Sequence, residues 1–381
     1  MVVIFWISSM LIIYTYLLYP LMVLVWAHLW PQPVKADVGH TPYVSMVVAA
    51  YNEEDVLEAK IENCLALDYP PDRIEFLFGS DGSSDRTDEI LDSCGDPRIR
   101  GLFYPERAGK LSVLNKVVPQ ARGELLVFSD ANSMYDPRAV RALVSHFADP
   151  DVGGVCGRLR LMPLEDNAGS KGEGLYWRYE NLIKKAEGAI RSVIGANGAI
   201  YAIRRRLFRP LPTEVALADD FLIPLRVLED ARRVTYEPRA VATENTSPDM
   251  REEFVRKVRI AAANFSALPY IAPMLSPLRG FVAWALWSHK ILRWLVPFLA
   301  LGALGANLLI LRHGPLYVGV LIVQAMIYVG ALGAYFGDRL FGRAGVLLPF
   351  YYFAMVNVAL ALGFWRSVTG RQEVAWKRVP R

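Results

Sequence analysis

The chain has 381 residues, 53% of them hydrophobic and 21% charged, with a mean hydropathy of +0.24. This is too apolar for an ordinary soluble enzyme, and it excludes both a disordered chain and a small disulfide-stapled domain. The net charge of +4 suits a protein beside anionic lipid and gives no support for nucleic-acid binding.

No Asp, Glu, Lys or Arg precedes Lys35. Met1–Trp30 is thus an uncharged run about twice as long as a signal-peptide core, expected to remain as a membrane-spanning helix with Trp26 and Trp30 at the interface. From Val44 the pattern changes. Short apolar runs (VSMVVAAY, IEFLFGSD, ELLVFSDAN) alternate with stretches of helical period such as Glu54–Leu67 and Lys110–Gln120. This βαβα order predicts an α/β domain with a mostly parallel sheet between helices, in which ligands bind at the carboxyl ends of the strands. Those ends carry Tyr51, Asn52 and Glu53, then Asp81, then Asp130 and Asn132. Beyond them the spacing predicts helices near Gly172–Arg191 and Asp220–Asp230, a strand at Val234–Glu237 and a helix from Asp249 onward. Cys64, Cys94 and Cys156 lack the spacing of a zinc or redox site and suit reduced thiols.

Ala261–Leu278 is apolar but broken by Pro269, Pro273 and Pro277, and Trp284, Trp287, His289, Lys290 and Arg293 follow. That composition predicts an amphipathic collar in the headgroup layer. Three uncharged runs come next, Trp294–Leu311, Gly314–Gly337 and Ala344–Trp365, each long enough to span about 30 Å of hydrocarbon. The expected segments are therefore a spanning helix (1–34), a cytosolic domain (35–260), the collar (261–293), transmembrane helices (294–366) and a basic tail (367–381). Three later spans would put the tail opposite a cytosolic domain, whereas Arg366, Arg371, Lys377, Arg378 and Arg381 favour the same side. Either the collar hides a crossing or the last run is a re-entrant pair.

Several residues could carry chemistry. Asp81 opens SDGSSDRTDE, where Gly82 permits a turn and Ser84 or Asp85 can cap a helix, while a carboxylate at the strand end can bind a base or ribose. SDAN (Ser129–Asn132) points oxygen ligands at the same rim, suiting Mg²⁺ or Mn²⁺ completed by substrate phosphates, or else forms a capped turn. Lys110, in RAGKLSVLN, is either a solvated surface residue or an ammonium facing a diphosphate with the help of the helix dipole. Asp219 and Asp220, in LADDF, begin a helix or else form a pair in which one carboxyl, its pKa raised, serves as general base. Arg251, Arg256, Lys257 and Arg259 could hold lipid headgroups or a phosphate.

In this order and spacing the motifs resemble the membrane-bound family 2 glycosyltransferases, the group that includes cellulose, hyaluronan and poly-N-acetylglucosamine synthases. The resemblance runs from Val44 to Arg259. It implies a GT-A-type, Rossmann-like fold, a nucleotide-diphosphate sugar donor, by resemblance a UDP-sugar, and inversion at the anomeric carbon. By the same resemblance, AAYNEE gives Tyr51 and Glu53 donor-binding roles, Asp81 contacts the nucleoside, and Lys110 matches the lysine of a G-K-x-x-x-L-N segment. SDAN occupies the metal-binding position, with Asp130 retained and Asn132 in place of a second aspartate, which predicts weaker metal binding or another ligand. Asp219 is placed with the donor and Asp220 as the base. YWRYE (Tyr176, Trp177) and GANGAIYAIRR (Gly195, Ala196, Asn197, Gly198) resemble the acceptor side. RKVRI stands where processive synthases carry Q-x-x-R-W. Arg259 keeps the diphosphate arginine, but Arg256 and Ile260 replace the glutamine and tryptophan, which argues against processive polymerisation.

The expected protein is an inverting transferase in the plasma (inner) membrane with a lipid-linked or glycan acceptor, and with partner proteins in an export or assembly complex as an open option. The alternatives are a processive synthase that secretes its product and a non-catalytic nucleotide-binding receptor or transport subunit.

Overall fold

The computed structural model describes residues 1–162, 168–245, 250–341 and 347–372. Asp249 and the tail residues Lys377, Arg378 and Arg381 lie outside the described residues. Among the described residues there are eight strands: β1 (Val44–Ala50), β2 (Ile74–Asp81), β3 (Ile99–Tyr104), β4 (Leu125–Asp130), β5 (Met134–Tyr135), β6 (Val152–Met162), β7 (Tyr201–Arg204) and β8 (Arg233–Asn245). They form one sheet in the order β3-β2-β1-β4-β7-β6-β8-β5. The sheet is mixed. β2 pairs in parallel with β1 and β3, β4 with β1, and β8 with β6, whereas β7 is antiparallel to β4 and β6, and β5 to β8.

The three apolar runs read from the sequence are β1, β2 and β4. Helices cover both faces, so every residue of β1 and β2 is buried and neither strand shows polar alternation. Alternate side chains serve two cores. Val44, Met46 and Val48 join Phe76, Phe78 and Val127 against the helices Glu54–Leu65 and Ala139–Ser145. Val47 and Ala49 join Leu77, Leu126 and Phe128 on the other face. β3, β5, β6 and β7 escaped the sequence reading, since short strands and half-exposed edges carry little period. The strand expected at Val234–Glu237 runs on to Asn245, and Pro238, which has no N–H to donate, falls in the register shift between Glu237 and Val241.

Among the described residues four helices are long and apolar enough to cross a membrane: Val2–Leu29, Phe281–His313, Pro315–Gly337 and Leu348–Val368. The second core runs through the helices Lys110–Val117, Ala168–Ile190 and Asp219–Glu229 into Tyr19 and Val23 of the first span and Trp294 of the second. The core on this face of the α/β domain is therefore continuous with the apolar helices.

The helices divide this region differently from the expected segments, and one of the two open alternatives for the last run falls away. The segment 261–293 is not one collar: Ala261–Ser266 completes the helix Met250–Ser266, the prolines start short turns up to Arg279, and Phe281 opens the second span. Gly280, at φ 55°, makes the break. The last apolar run is one helix, Leu348–Val368, rather than a re-entrant pair. This helix lies along Met250–Ser266. Tyr352 donates to Glu253 Oε1 at 3.3 Å near one end, and Ser266 Oγ meets Ser367 Oγ at 2.9 Å near the other.

Between these contacts Gly363 allows close approach, since a Cβ there would lie 2.4 Å from Ala261 Cβ and 2.7 Å from Ala262 N. Gly363→Ala is expected to force the two helices apart at a cost of about 1–3 kcal/mol. The check is the unfolding temperature of the purified protein, which should fall; an unchanged value would show that the contact is looser.

Candidate active site

β1, β2 and β4 end at one rim, with Ala50 opposite Ser80 and Ala49 opposite Asp130. Past β1, the Arg107 guanidinium stacks 3.7 Å from the centre of the Tyr51 ring. Asp81 is 5% exposed and accepts the N–H groups of Ala108 and Gly109, both at 2.8 Å. It thereby fixes the turn from which Lys110 starts its helix.

Lys110 is the electrostatic centre. Its ammonium lies 2.7 Å from Asp130 Oδ1 and 3.1 Å from Asp219 Oδ1. Burial alone would lower its pKa, but Asp130 and Asp219 outweigh that and raise it, so Lys110 stays protonated. Beneath the SDAN turn, the wholly buried Lys60 donates to Ser129 Oγ at 2.7 Å and to the Ser133 carbonyl. Burial pulls the Lys60 pKa down.

The two adjacent aspartates differ. Asp219 is committed to Lys110 and to the Tyr201 hydroxyl, which donates to Oδ2 at 2.9 Å. Asp220 accepts the Gly198 N–H on Oδ2 at 3.1 Å, while its carbonyl accepts the Ala196 N–H at 2.7 Å. Burial and the neighbouring Asp219 charge push the Asp220 carboxyl up to about 6, against the pull of Lys110 and Lys184. Space at Gly198 is tight: a Cβ would sit 3.3 Å from Asp220 Oδ2 and 3.6 Å from Asp130 Oδ2. The two carboxylates thus face each other across a residue with no side chain.

A cavity of about 680 Å³ opens beside them. Its wall includes Glu53, Lys110, Asp130, Asn132, Asp219, Asp220 and Arg259 from the expected donor side, and Tyr176, Trp177, Gly195, Ala196 and Gly198 from the expected acceptor side. Tyr51, Asp81 and Asn197 do not line it. Asn197 is 1% exposed and works behind the wall, donating to the Gly157 carbonyl at 2.7 Å and accepting from Lys184. The basic cluster also divides. Arg256, Lys257 and Arg259 all line the cavity, with Arg256 tied to Glu173 and to Glu253 (2.7 Å) so that it joins two helices, while Arg251 is exposed elsewhere.

The sequence reading missed the far wall. Tyr16, Tyr179, His289, Lys290 and Arg293 line it, as does Glu180, which was read only as the end of the YWRYE motif. Burial would raise the Glu180 carboxyl, but His289, Lys290 and Arg293 beside it hold it well below the usual range. The available signal was ionisable residues inside an apolar segment, which mark function more often than packing.

Among the described residues no group of three or more His, Cys, Asp or Glu is placed to hold a metal. Asp130 and Asn132 share the cavity wall, and Asp130 Oδ2 faces Gly198 while Oδ1 is held by Lys110. That donor set, two hard oxygens, fits a magnesium-type cation whose remaining ligands are phosphate and water.

Residues 45–209 match the family model described as Glycosyl transferase family 2. The chain is 30% identical over 173 residues to a beta-monoglucosyldiacylglycerol synthase of Synechocystis sp., covering 42% of this chain and 36% of that protein. It is 26% identical over 260 residues to an N-acetylglucosaminyltransferase of Rhizobium meliloti, covering 64% and 60%. It is 24% identical over 213 residues to a poly-beta-1,6-N-acetyl-D-glucosamine synthase of Staphylococcus epidermidis, covering 55% and 51%. These matches span less than two thirds of each relative. Among solved structures, the mannosyltransferase PcManGT from Pyrobaculum calidifontis, in complex with GDP-Man and Mn²⁺, superimposes with a TM-score of 0.73 at 21% identity, covering 97% of this chain and 99% of that one. The architecture is of the GT-A type, with membrane helices.

Proposed function

We propose that the protein, whose residues 45–209 match the Glycosyl transferase family 2 model, transfers a sugar, with inversion, from a nucleoside-diphosphate sugar to a hydroxyl of a lipid-linked or glycan acceptor. The observation that carries this is the Asp220 carboxyl, poised near 6 and facing Asp130 across Gly198, with the Lys110 ammonium beside both.

In this mechanism the acceptor oxygen attacks the anomeric carbon in line, the bond from that carbon to the diphosphate breaks, and the acceptor proton passes to Asp220. Lys110 and Arg259 meet the charge gathering on the leaving diphosphate, in a cavity walled by apolar groups where such charges count for most. Asp130 and Asn132 would hold Mg²⁺ or Mn²⁺, which supplies further neutralisation of that diphosphate. Tyr51, Glu53 and Asp81 frame the nucleoside end. Asp81 acts there by anchoring the 108–109 turn and so positioning Lys110. Tyr176 and Trp177 offer aromatic faces for the acceptor sugar. Arg256 is locked in ion pairs at the position of the processive synthases' glutamine, which favours a single transfer over chain growth. We place the domain on the cytosolic side of the plasma membrane, where nucleotide sugars are made.

The test is to supply purified membranes with a panel of UDP- and GDP-sugars and follow release of nucleoside diphosphate, with and without chelator. Release from one donor, suppressed by chelator and absent in Asp220→Asn membranes, is the expected result. No release from any donor would favour a binding protein, and a ladder of long products on a gel would favour a polymerase.

A further inference from the structure

The cavity has a second polar end that the transfer chemistry does not use. It lies where the Ala168–Ile190 helix of the α/β domain meets the first two membrane helices, and each of these two carries a π-helical turn there, at Tyr14–Leu18 and Leu286–Ile291. A π turn widens the helix by one residue and re-aims its side chains. Tyr179 donates to the Tyr16 carbonyl inside the first turn at 2.9 Å. His289 and Lys290 in the second turn, and Arg293 just after it, meet on one carboxylate, Glu180. The neighbouring Glu187 is engaged by His289 Nδ1 at 2.6 Å and by the Tyr19 hydroxyl at 2.5 Å.

Arg293 is the residue left with capacity. It is 8% exposed and gives one N–H, from Nη1, to Glu180 Oε2 at 2.9 Å. Its Nε and Nη2 have no hydrogen-bond partner among the described residues, and it lines the cavity. The rings of Tyr179 and Tyr16, whose centres lie 5.2 Å and 5.8 Å from the guanidinium carbon, offset part of its desolvation, and a ligand that takes the two unused donors would offset the rest. Nε and Nη2 form the fork that suits two oxygens of one phosphate. The site is also near the reaction: Trp294, next to Arg293, packs edge-on against Phe221, next to Asp220, with ring centres 5.7 Å apart. Tyr352, Phe353, Val356 and Leu360 of the last span form an apolar wall alongside. The cavity therefore joins a proton-accepting carboxyl, an anion-seeking guanidinium and a hydrocarbon-lined side.

We propose that Arg293, with Lys290, is the subsite for the phosphate of an amphiphilic acceptor, so that the acceptor is a lipid-linked phosphate ester rather than a free sugar or a neutral lipid. This rests on the transferase reading above. The donor diphosphate is the other source of phosphate oxygens in the cavity, but it has Lys110 and Arg259 at the strand ends, and no hydrocarbon chain to match the wall of the last span.

The test is equilibrium binding to the full-length protein in neutral detergent, with decyl phosphate, decanol, inorganic phosphate, UDP and GDP as probes. The wild type should bind decyl phosphate at least about tenfold more tightly than decanol or inorganic phosphate, as one charge-assisted bidentate contact supplies. Arg293→Gln should erase that advantage, Arg293→Lys should keep part of it, and both should leave UDP and GDP affinity within about twofold. Equal binding of decyl phosphate and decanol by the wild type overturns the proposal. So does an Arg293→Gln variant that loses UDP or GDP as strongly as decyl phosphate, or displacement of decyl phosphate by UDP or GDP in the wild type, because the guanidinium would then serve the donor. The wild-type comparisons decide the matter even if Arg293→Gln does not fold. None of these readings needs turnover, so a protein that binds decyl phosphate selectively but releases no nucleoside diphosphate would refute the transferase reading and leave this subsite standing.

Discussion

Asp220→Asn is expected to lower turnover by about three orders of magnitude, the range set by loss of a positioned base, while donor affinity stays close to normal. The amide keeps the shape and the bond from the Gly198 N–H but cannot take a proton. The wild-type rate should also carry an acid limb. With its carboxyl pushed up to about 6, Asp220 is mostly protonated at pH 5 and mostly ionised at pH 7, so activity rises through that window and levels off above it. The sign for stability runs the other way. A carboxyl whose folded pKa lies above its ordinary 3.8 disfavours folding once ionised, a cost absent below about pH 4 and complete above about pH 6. The amide removes that cost, so the variant should unfold at neutral pH no more readily than the wild type, and loss of activity cannot be laid to misfolding. Steady-state kinetics across pH 4.5–8 would check this. A variant with near-normal turnover, or an acid limb that persists in it, removes Asp220 from the role.

Lys110→Met should cost at least about a hundredfold in turnover and also raise the donor KM. The ammonium is the cation that Asp130 and Asp219 share, and it is one of the charges that hold Asp220 down. Without it three carboxylates face one another with less compensation, so whatever activity remains should show its acid limb displaced to higher pH. Lys110→Arg should recover part of the rate and return the limb towards its original place. The displacement separates an electrostatic role from simple contact with substrate, since a lost contact would change KM and leave the limb where it was. An exposed, unpaired lysine, the other reading the sequence allowed, predicts neither effect.

The two predictions turn on residues that were visible as candidates before any coordinates, and the reason is local. Asp81, Asp130 and the Tyr51–Glu53 segment close runs of buried strand, and Lys110, Asp219 and Asp220 open helices, so period and turn chemistry alone put them at one rim. What each does there was open. Whether Asp81 meets a base or holds a turn, whether Lys110 is solvated or buried between carboxylates, and which of Asp219 and Asp220 is free to accept a proton depend on neighbours far along the chain. Tyr201, 18 residues away, commits Asp219, and the backbone of Gly198 meets Asp220. Asn197 illustrates the limit: it shares a motif with Gly198 yet lies behind the wall, because consecutive residues in a turn point in different directions and only packing decides which one faces the cavity.

By itself, then, the sequence determined the apolar spans, the parallel centre of the sheet, the βαβα order of elements and the set of polar residues at its rim, all of which are encoded in composition and short-range period, while the GT-A type was implied by the resemblance of its motifs. Tertiary structure alone decided that the α/β domain shares a core with the membrane helices, that the chain from Phe281 onward joins the second apolar helix, and that Arg293 meets Glu180 across 113 residues. Contacts of that kind leave no periodic trace, since each arises from two surfaces fitting together and from the cost of leaving a buried charge without a partner.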